Sequence, residues 1–327
     1  MTNDITKPTN RLPELSYAGI DTFLGAETAD PEALTPDIDV GFVGVPFDGS
    51  VSRRPGTRYG PGALRSASSW YDHFGGQPGG AHNVDVDRHV NHNDITMRDC
   101  GDAPTVPNDV EQTRDHVAAY VEAVAESAFP VVLGGDHYIT YPSFAGFANT
   151  IDGDVGLIHL DAHSDTMDDE EIYGPHWHGS PMARIDDLPK GGYENHAMIG
   201  IRSYERADFP DIVEDRGIRV DYAHDVREKG IRTCVEEAID HATDGTDAVY
   251  LTVDIDAVDP SFAPGTGTPE PGGLTSAQLL TAMDLLGACS DIQAMDLMEV
   301  APRLDPTDAT QMLGAMAITR FVERRFC

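Results

Sequence analysis

The chain has 327 residues, 56 of them acidic and 22 basic, and its formal charge of −34 excludes nucleic acid and anionic membrane surfaces as partners. Only Lys7, Lys190 and Lys229 are lysine, and an acidic, lysine-poor surface suits a salt-filled cytoplasm in which screening has removed most mutual repulsion. The four scattered cysteines form no Cys-x-x-Cys pair and no run of about 18 apolar residues occurs, so a soluble, cytoplasmic protein is expected.

Residues 1–37, rich in Thr, Pro and Asp, are expected to form an N-terminal arm, and residues 38–327 a single domain. In chain order, strands are expected at 39–45, 130–133, 155–160, 197–201, 218–222, 248–253 and 292–300, each a short run of β-forming residues. Amphipathic helices are expected at 110–127, 232–242, 276–286 and 308–324. This alternation predicts an α/β fold: a doubly wound, mainly parallel sheet with helices on both faces, which binds ligands beyond the carboxyl ends of its strands.

Two strings occupy such ends. Asp161-Ala-His163-Ser-Asp165 follows the strand VGLIHL, and Asp254-Ile-Asp256 follows AVYLTV; His137 closes a Gly-Gly-Asp-His turn upstream. Residues two apart on a strand share a face, so each string can converge on one pocket. Carboxylates crowded together stay ionised only with cations among them. Oxygen and imidazole donors without cysteine suit manganese, nickel, cobalt or zinc, and two such ions generate a nucleophile from water near neutral pH. The acidic spacing lacks the central Gly and terminal Glu of a helix-loop-helix calcium site, and Val-Pro-Phe-Asp-Gly after the first expected strand is no dinucleotide-binding turn.

Seven motifs together resemble the ureohydrolase family of arginase and agmatinase: Gly134-Gly-Asp-His137, Asp161-Ala-His-Ser-Asp165, His178-Gly-Ser-Pro181, Asp254-Ile-Asp-Ala-Val-Asp-Pro-Ser261, Gly265-Thr-Gly-Thr-Pro269, Gly44-Val-Pro-Phe-Asp48 and Arg54-Pro-Gly-Thr-Arg-Tyr-Gly-Pro61. The last two are especially like agmatinase. The resemblance implies a three-layer arginase-like fold and two Mn(2+), with Ni(2+) in some relatives. One ion would take His137, Asp161, Asp165 and Asp254, the other His163, Asp161, Asp254 and Asp256. It further implies attack by activated water on a guanidinium carbon, Asp165 carrying the proton to the leaving amine, His178 as proton shuttle and Glu299 as the guanidinium anchor. Trimers or hexamers are common in the family, so a homo-oligomer is expected.

The substrate's tail is a separate question. Four adjacent carboxylates in Thr166-Met-Asp-Asp-Glu-Glu-Ile-Tyr-Gly174 repel a carboxylate tail and attract an ammonium one, favouring agmatine over arginine, guanidinobutyrate or guanidine. Tyr173 and Trp177 are candidates for the pocket wall, and His176 is expected to be only a neighbour of His178. A catalytically dead binding or regulatory subunit would have lost ligands, and none is missing. If the charge is a salt adaptation, transfer from molar to millimolar salt lowers the melting temperature. Equal melting temperatures in both would overturn it.

Overall fold

The computed structural model describes Ser16 and residues 18–327. Eleven strands are present among them: β1 (Glu27–Thr28), β2 (Val40–Gly44), β3 (Ala81–Asn83), β4 (Arg88–Val90), β5 (Met97–Asp102), β6 (Phe129–Leu133), β7 (Val155–Leu160), β8 (His196–Ile199), β9 (Arg219–Asp221), β10 (Ala248–Asp254) and β11 (Ile292–Met298). Nine α-helices alternate with them: α1 (Gly60–Gly75), α2 (Val110–Ala125), α3 (Thr140–Asn149), α4 (Pro181–Asp186), α5 (Phe209–Arg216), α6 (Ala223–Lys229), α7 (Ile231–Ala242), α8 (Ser276–Gly287) and α9 (Ala309–Phe326). β3 and β4 form a separate hairpin; the other nine strands form one sheet in the order β1-β5-β2-β6-β11-β10-β7-β8-β9. Every neighbouring pair in that sheet runs parallel.

The central strands are buried on both faces, as a parallel sheet with helices above and below requires. Along β10, Val249, Leu251 and Val253 pack with α1, α7, α8 and α9, while Ala248 and Tyr250 pack with α2, α3, α4 and α5. The same alternation runs through β7, where Ile158 and Leu160 face the first layer and Val155 and Leu157 the second. The result is the expected three-layer α/β architecture. Strands β6, β11, β10 and β7 lie side by side, so the loops after Leu133, Met298, Asp254 and Leu160 open onto one patch.

All seven expected strands are present within a residue or two of their predicted ends, as are the four expected helices. β5 escaped sequence reasoning because Met-Arg-Asp-Cys-Gly-Asp reads as polar. Its Asp99 is buried against Arg65 of α1, at 2.9 and 3.0 Å, and also accepts the Phe23 amide at 2.9 Å. A charge neutralised only by a distant helix hides a strand from any local pattern. α1 was masked by Gly60-Pro61-Gly62, which at a helix start is tolerated because the first amides need no intrahelical acceptor.

Residues 1–15 and Tyr17 of the expected arm lie outside the described residues. The rest of it is not an appendage. Phe23 and Leu24 are fully buried, the Phe23 ring lies 4.7 Å from that of Phe42 in β2, and β1 adds an edge strand to β5. One Phe-Leu anchor in a polar stretch is enough to bring it into the core.

Near the start of β5, His92 is buried between Asp72 and Glu323, each 3.1 Å from a ring nitrogen. Burial opposes its charge, but the hydrogen bonds to Asp72 and Glu323 outweigh it and hold the imidazole up at about 9. A group with a raised folded-state pKa contributes stability that is complete below its unfolded value, near 6.5, and is lost as pH climbs through 9. Melting temperature is therefore expected to fall between pH 7 and pH 9.5. His92→Gln should flatten that slope and cost on the order of 2 kcal/mol at neutral pH; an unchanged slope would show that His92 is not its source.

Candidate metal centre and active site

Except for His178, which lies in the loop just before α4, each expected site residue lies at or shortly beyond the carboxyl end of a central strand. Leu133 ends β6, and the chain turns through Gly134 and Gly135 to His137. Gly135 has no room for a side chain, since a Cβ there would lie 1.8 Å from the Phe47 carbonyl oxygen. Asp161 follows β7, Asp254 is the last residue of β10, and Glu299 follows β11. Asp165 and Glu299 both hold positive φ, 51° and 63°. Non-glycine residues pay about 1–3 kcal/mol for such backbone, and it concentrates at functional sites.

The imidazoles and carboxylates converge. His137 Nδ1 lies 2.9 Å from Asp161 Oδ2, 2.9 Å from Asp165 Oδ2 and 3.3 Å from Asp254 Oδ2. His163 Nδ1 lies 3.5 Å from Asp161 Oδ1 and 3.3 Å from Asp256 Oδ2. Asp161 thus faces both histidines, one oxygen to each. Asp254 Oδ1 accepts the Asp256 amide at 2.7 Å, and Asp256 Oδ2 accepts the Thr268 hydroxyl at 3.1 Å. Arg202 clamps the loop beyond, with Nη2 donating to the Asp256 and Glu270 carbonyls, each at 2.7 Å.

The electrostatics call for a cation. Burial together with repulsion from Asp256 and Asp161 pushes the Asp254 carboxyl well above the usual range, and burial raises Asp256. Asp161 moves the other way. Burial would raise it too, but the surrounding imidazoles, His159 foremost, hold it well below. His137 Nδ1 is buried with no hydrogen bond of acceptable geometry, although carboxylate oxygens ring it. An imidazole lone pair facing converging carboxylates is a donor set that fits divalent metal ions. The groups His137/His159/Asp161 and Asp161/His163/Asp256 each bring ligand atoms close enough to hold one.

Beside this cluster, His178 Nδ1 lies 3.0 Å from Glu299 Oε1, which also accepts the His137 amide at 3.0 Å; Glu299 Oε2 is buried without a partner. Burial lowers His178, but the hydrogen bond and charge of Glu299 prevail and set it at about 9. His176 instead bonds the Tyr138 hydroxyl at 3.1 Å. A cavity of about 170 Å³ is lined by Ser52, His163, Asp165, Met167, Trp177, His178, Gly179, Tyr204, Glu205, Asp254 and Thr268. Trp177 is part of its wall, with Tyr173 stacked behind it at 4.6 Å.

Residues 38–322 match the model of the arginase family. The chain belongs to the arginase family. Like other ureohydrolases of that family, it is a hydrolase acting on amidine C–N bonds. It is 34% identical to guanidinopropionase of Pseudomonas aeruginosa, over 96% of this chain and 94% of that one. It is 36% identical to the mitochondrial agmatinase of Gallus gallus, over 85% and 78%. The solved structure of proclavaminate amidinohydrolase from Streptomyces clavuligerus superposes with a TM-score of 0.84 at 32% identity, covering 96% of this chain and 99% of that one.

Sequence reasoning missed His159, Ser52 and Glu205. His159 was within reach, because it stands two residues before Asp161 on β7 and so shares its face; its Nε2 lies 2.7 Å from Asp161 Oδ2. Ser52 and Glu205 had no local signal, since each reaches the cavity only through folding of a distant loop.

Stripping divalent ions with a chelator is expected to lower the melting temperature, and Mn(2+) at a hundredfold excess over its dissociation constant should restore about 2.7 kcal/mol. A melting curve indifferent to both treatments would contradict a cation-dependent centre.

Proposed function

We propose that the substrate is agmatine, hydrolysed to putrescine and urea, with two Mn(2+) held by His137, Asp161, Asp165 and Asp254 on one side and by His163, Asp161, Asp254 and Asp256 on the other. The observation that carries the tail assignment is the cavity wall: it includes the half-buried carboxylate Glu205 and no lysine or arginine among its lining residues. Glu205 is fixed by the Ser164 amide at 2.8 Å and hydroxyl at 2.9 Å. A fixed carboxylate attracts an ammonium tail and repels a carboxylate one. The acidic loop is a weaker support than its composition promises, because Arg184 pairs with Asp168 and Arg206 lies 4.0 Å from Glu170.

Bound metal ions supply a water acidified to near neutral pH. The protein's residues do the rest. Glu299 Oε2, free of other partners, accepts hydrogen bonds from the planar guanidinium and turns its carbon toward the His137–His163 cluster. Water adds to that carbon; Asp165, which lines the cavity, takes the proton and passes it to the departing amine as the tetrahedral centre collapses to urea. His178, lining the same cavity, shuttles protons to and from solvent.

A guanidino acid is the second candidate. The 34% identity to guanidinopropionase spans nearly all of both chains, and Arg53 is exposed next to the cavity-lining Ser52. Urea release from agmatine, arginine, guanidinobutyrate, guanidinopropionate and guanidine, with manganese in high salt, separates them. Agmatine is expected to give the highest kcat/KM. Glu205→Gln should cost about tenfold on agmatine alone, and Glu299→Gln should cost at least about a hundredfold at full metal content. A guanidino acid as best substrate would overturn the agmatine assignment; no urea from any compound would overturn the reaction.

A further inference from the structure

Beneath the candidate ligands, on the sheet face toward α3, lies a second tier of buried polar side chains that the catalytic proposal leaves unused. Thr252 of β10 and Asp296 of β11 are both fully buried, on paired strands with register Thr252 opposite Asp296. His137 Nε2 lies 2.9 Å from Thr252 Oγ1. The Thr252 hydroxyl donates to Asp296 Oδ1 at 2.6 Å, and the Tyr250 hydroxyl donates to Asp296 Oδ2 at 3.0 Å. Thr140 Oγ1 stands 3.2 Å from Thr252. A carboxylate buried on a central strand is costly to keep.

The directions of these hydrogen bonds show what needs it. A carboxylate only accepts, so the Thr252 proton is committed to Asp296 and the Thr252 oxygen is left as an acceptor toward His137. His137 then carries a proton on Nε2, so that the neutral ring a metal ion requires has its Nδ1 lone pair pointing at the Asp161, Asp165 and Asp254 oxygens. We propose that Asp296, acting through Thr252, is a positioning residue that sets the tautomer of His137 and so prepares it to bind a metal ion. This rests on the dinuclear-metal assignment above and adds to it two residues that touch neither metal nor substrate. Ordinary metal-bound histidines donate directly to a carboxylate or carbonyl; here a threonine hydroxyl is interposed, because Thr252 and Asp296 are held by the registers of β10 and β11.

The test is titration of the metal-stripped full-length protein with Mn(2+), free and bound ion being counted by electron paramagnetic resonance. The wild-type chain is expected to bind two ions. Thr252→Val, which removes the relay's hydroxyl at constant shape, should weaken one of the two by about 10- to 100-fold. Thr252→Ser, which keeps the hydroxyl, should restore it, a rescue that a packing role for the threonine methyl would not give. Asp296→Asn preserves volume and gives an independent reading if the valine variant does not fold; it should weaken the same ion. Wild-type affinity at both ions in the folded variants would overturn the relay while leaving the metal centre standing. A wild-type chain that binds fewer than two ions would overturn the metal assignment and the relay together.

Discussion

Mutual repulsion among buried carboxylates is the constraint around which the structure is organised. Asp161, Asp165, Asp254 and Asp256 meet two imidazoles in a largely buried cluster, and carboxylates so crowded stay ionised only with positive charge among them. The parallel sheet makes the gathering possible. Four adjacent strands, β6, β11, β10 and β7, deliver their carboxyl ends to one patch, and each contributes at least one acidic or imidazole group at its last residue or in the turn that follows.

Around that patch, rigidity is bought with glycine, strain and buried hydrogen bonds. Gly135 lets the His137 turn lie against the Phe47 backbone, and positive φ at Asp165 and Glu299 redirects the chain as it leaves its strand. Glu299 then serves two neighbours through one oxygen, accepting the His137 amide and facing His178, which keeps its other oxygen available. Arg202 ties down the loop after β10 by backbone carbonyls alone. The opposite side of the cavity, with Met167, Trp177, Tyr204 and Glu205, is built from loops rather than strand ends, so it can vary in shape without disturbing the candidate metal ligands. Relatives named as agmatinase, guanidinopropionase and proclavaminate amidinohydrolase match this chain over most of their length and differ in their names.

The sequence alone determined the strand–helix alternation, the parallel sheet and the two aspartate strings, because strand burial and side-chain alternation are local, periodic properties that survive in one dimension. It also determined which donor types meet, since Asp161, His163, Asp165, Asp254 and Asp256 are paired by spacing within their own strings. Only the tertiary structure decided the rest. Arg65 neutralises Asp99 across 34 positions and turns a polar hexapeptide into β5; Glu205 reaches Ser164 across 41 and puts a carboxylate on the cavity wall; Asp296 reaches Thr252 across 44. Each depends on strand order and helix placement, and contacts of that kind leave no periodic trace in the chain because their partners are chosen by packing rather than by spacing.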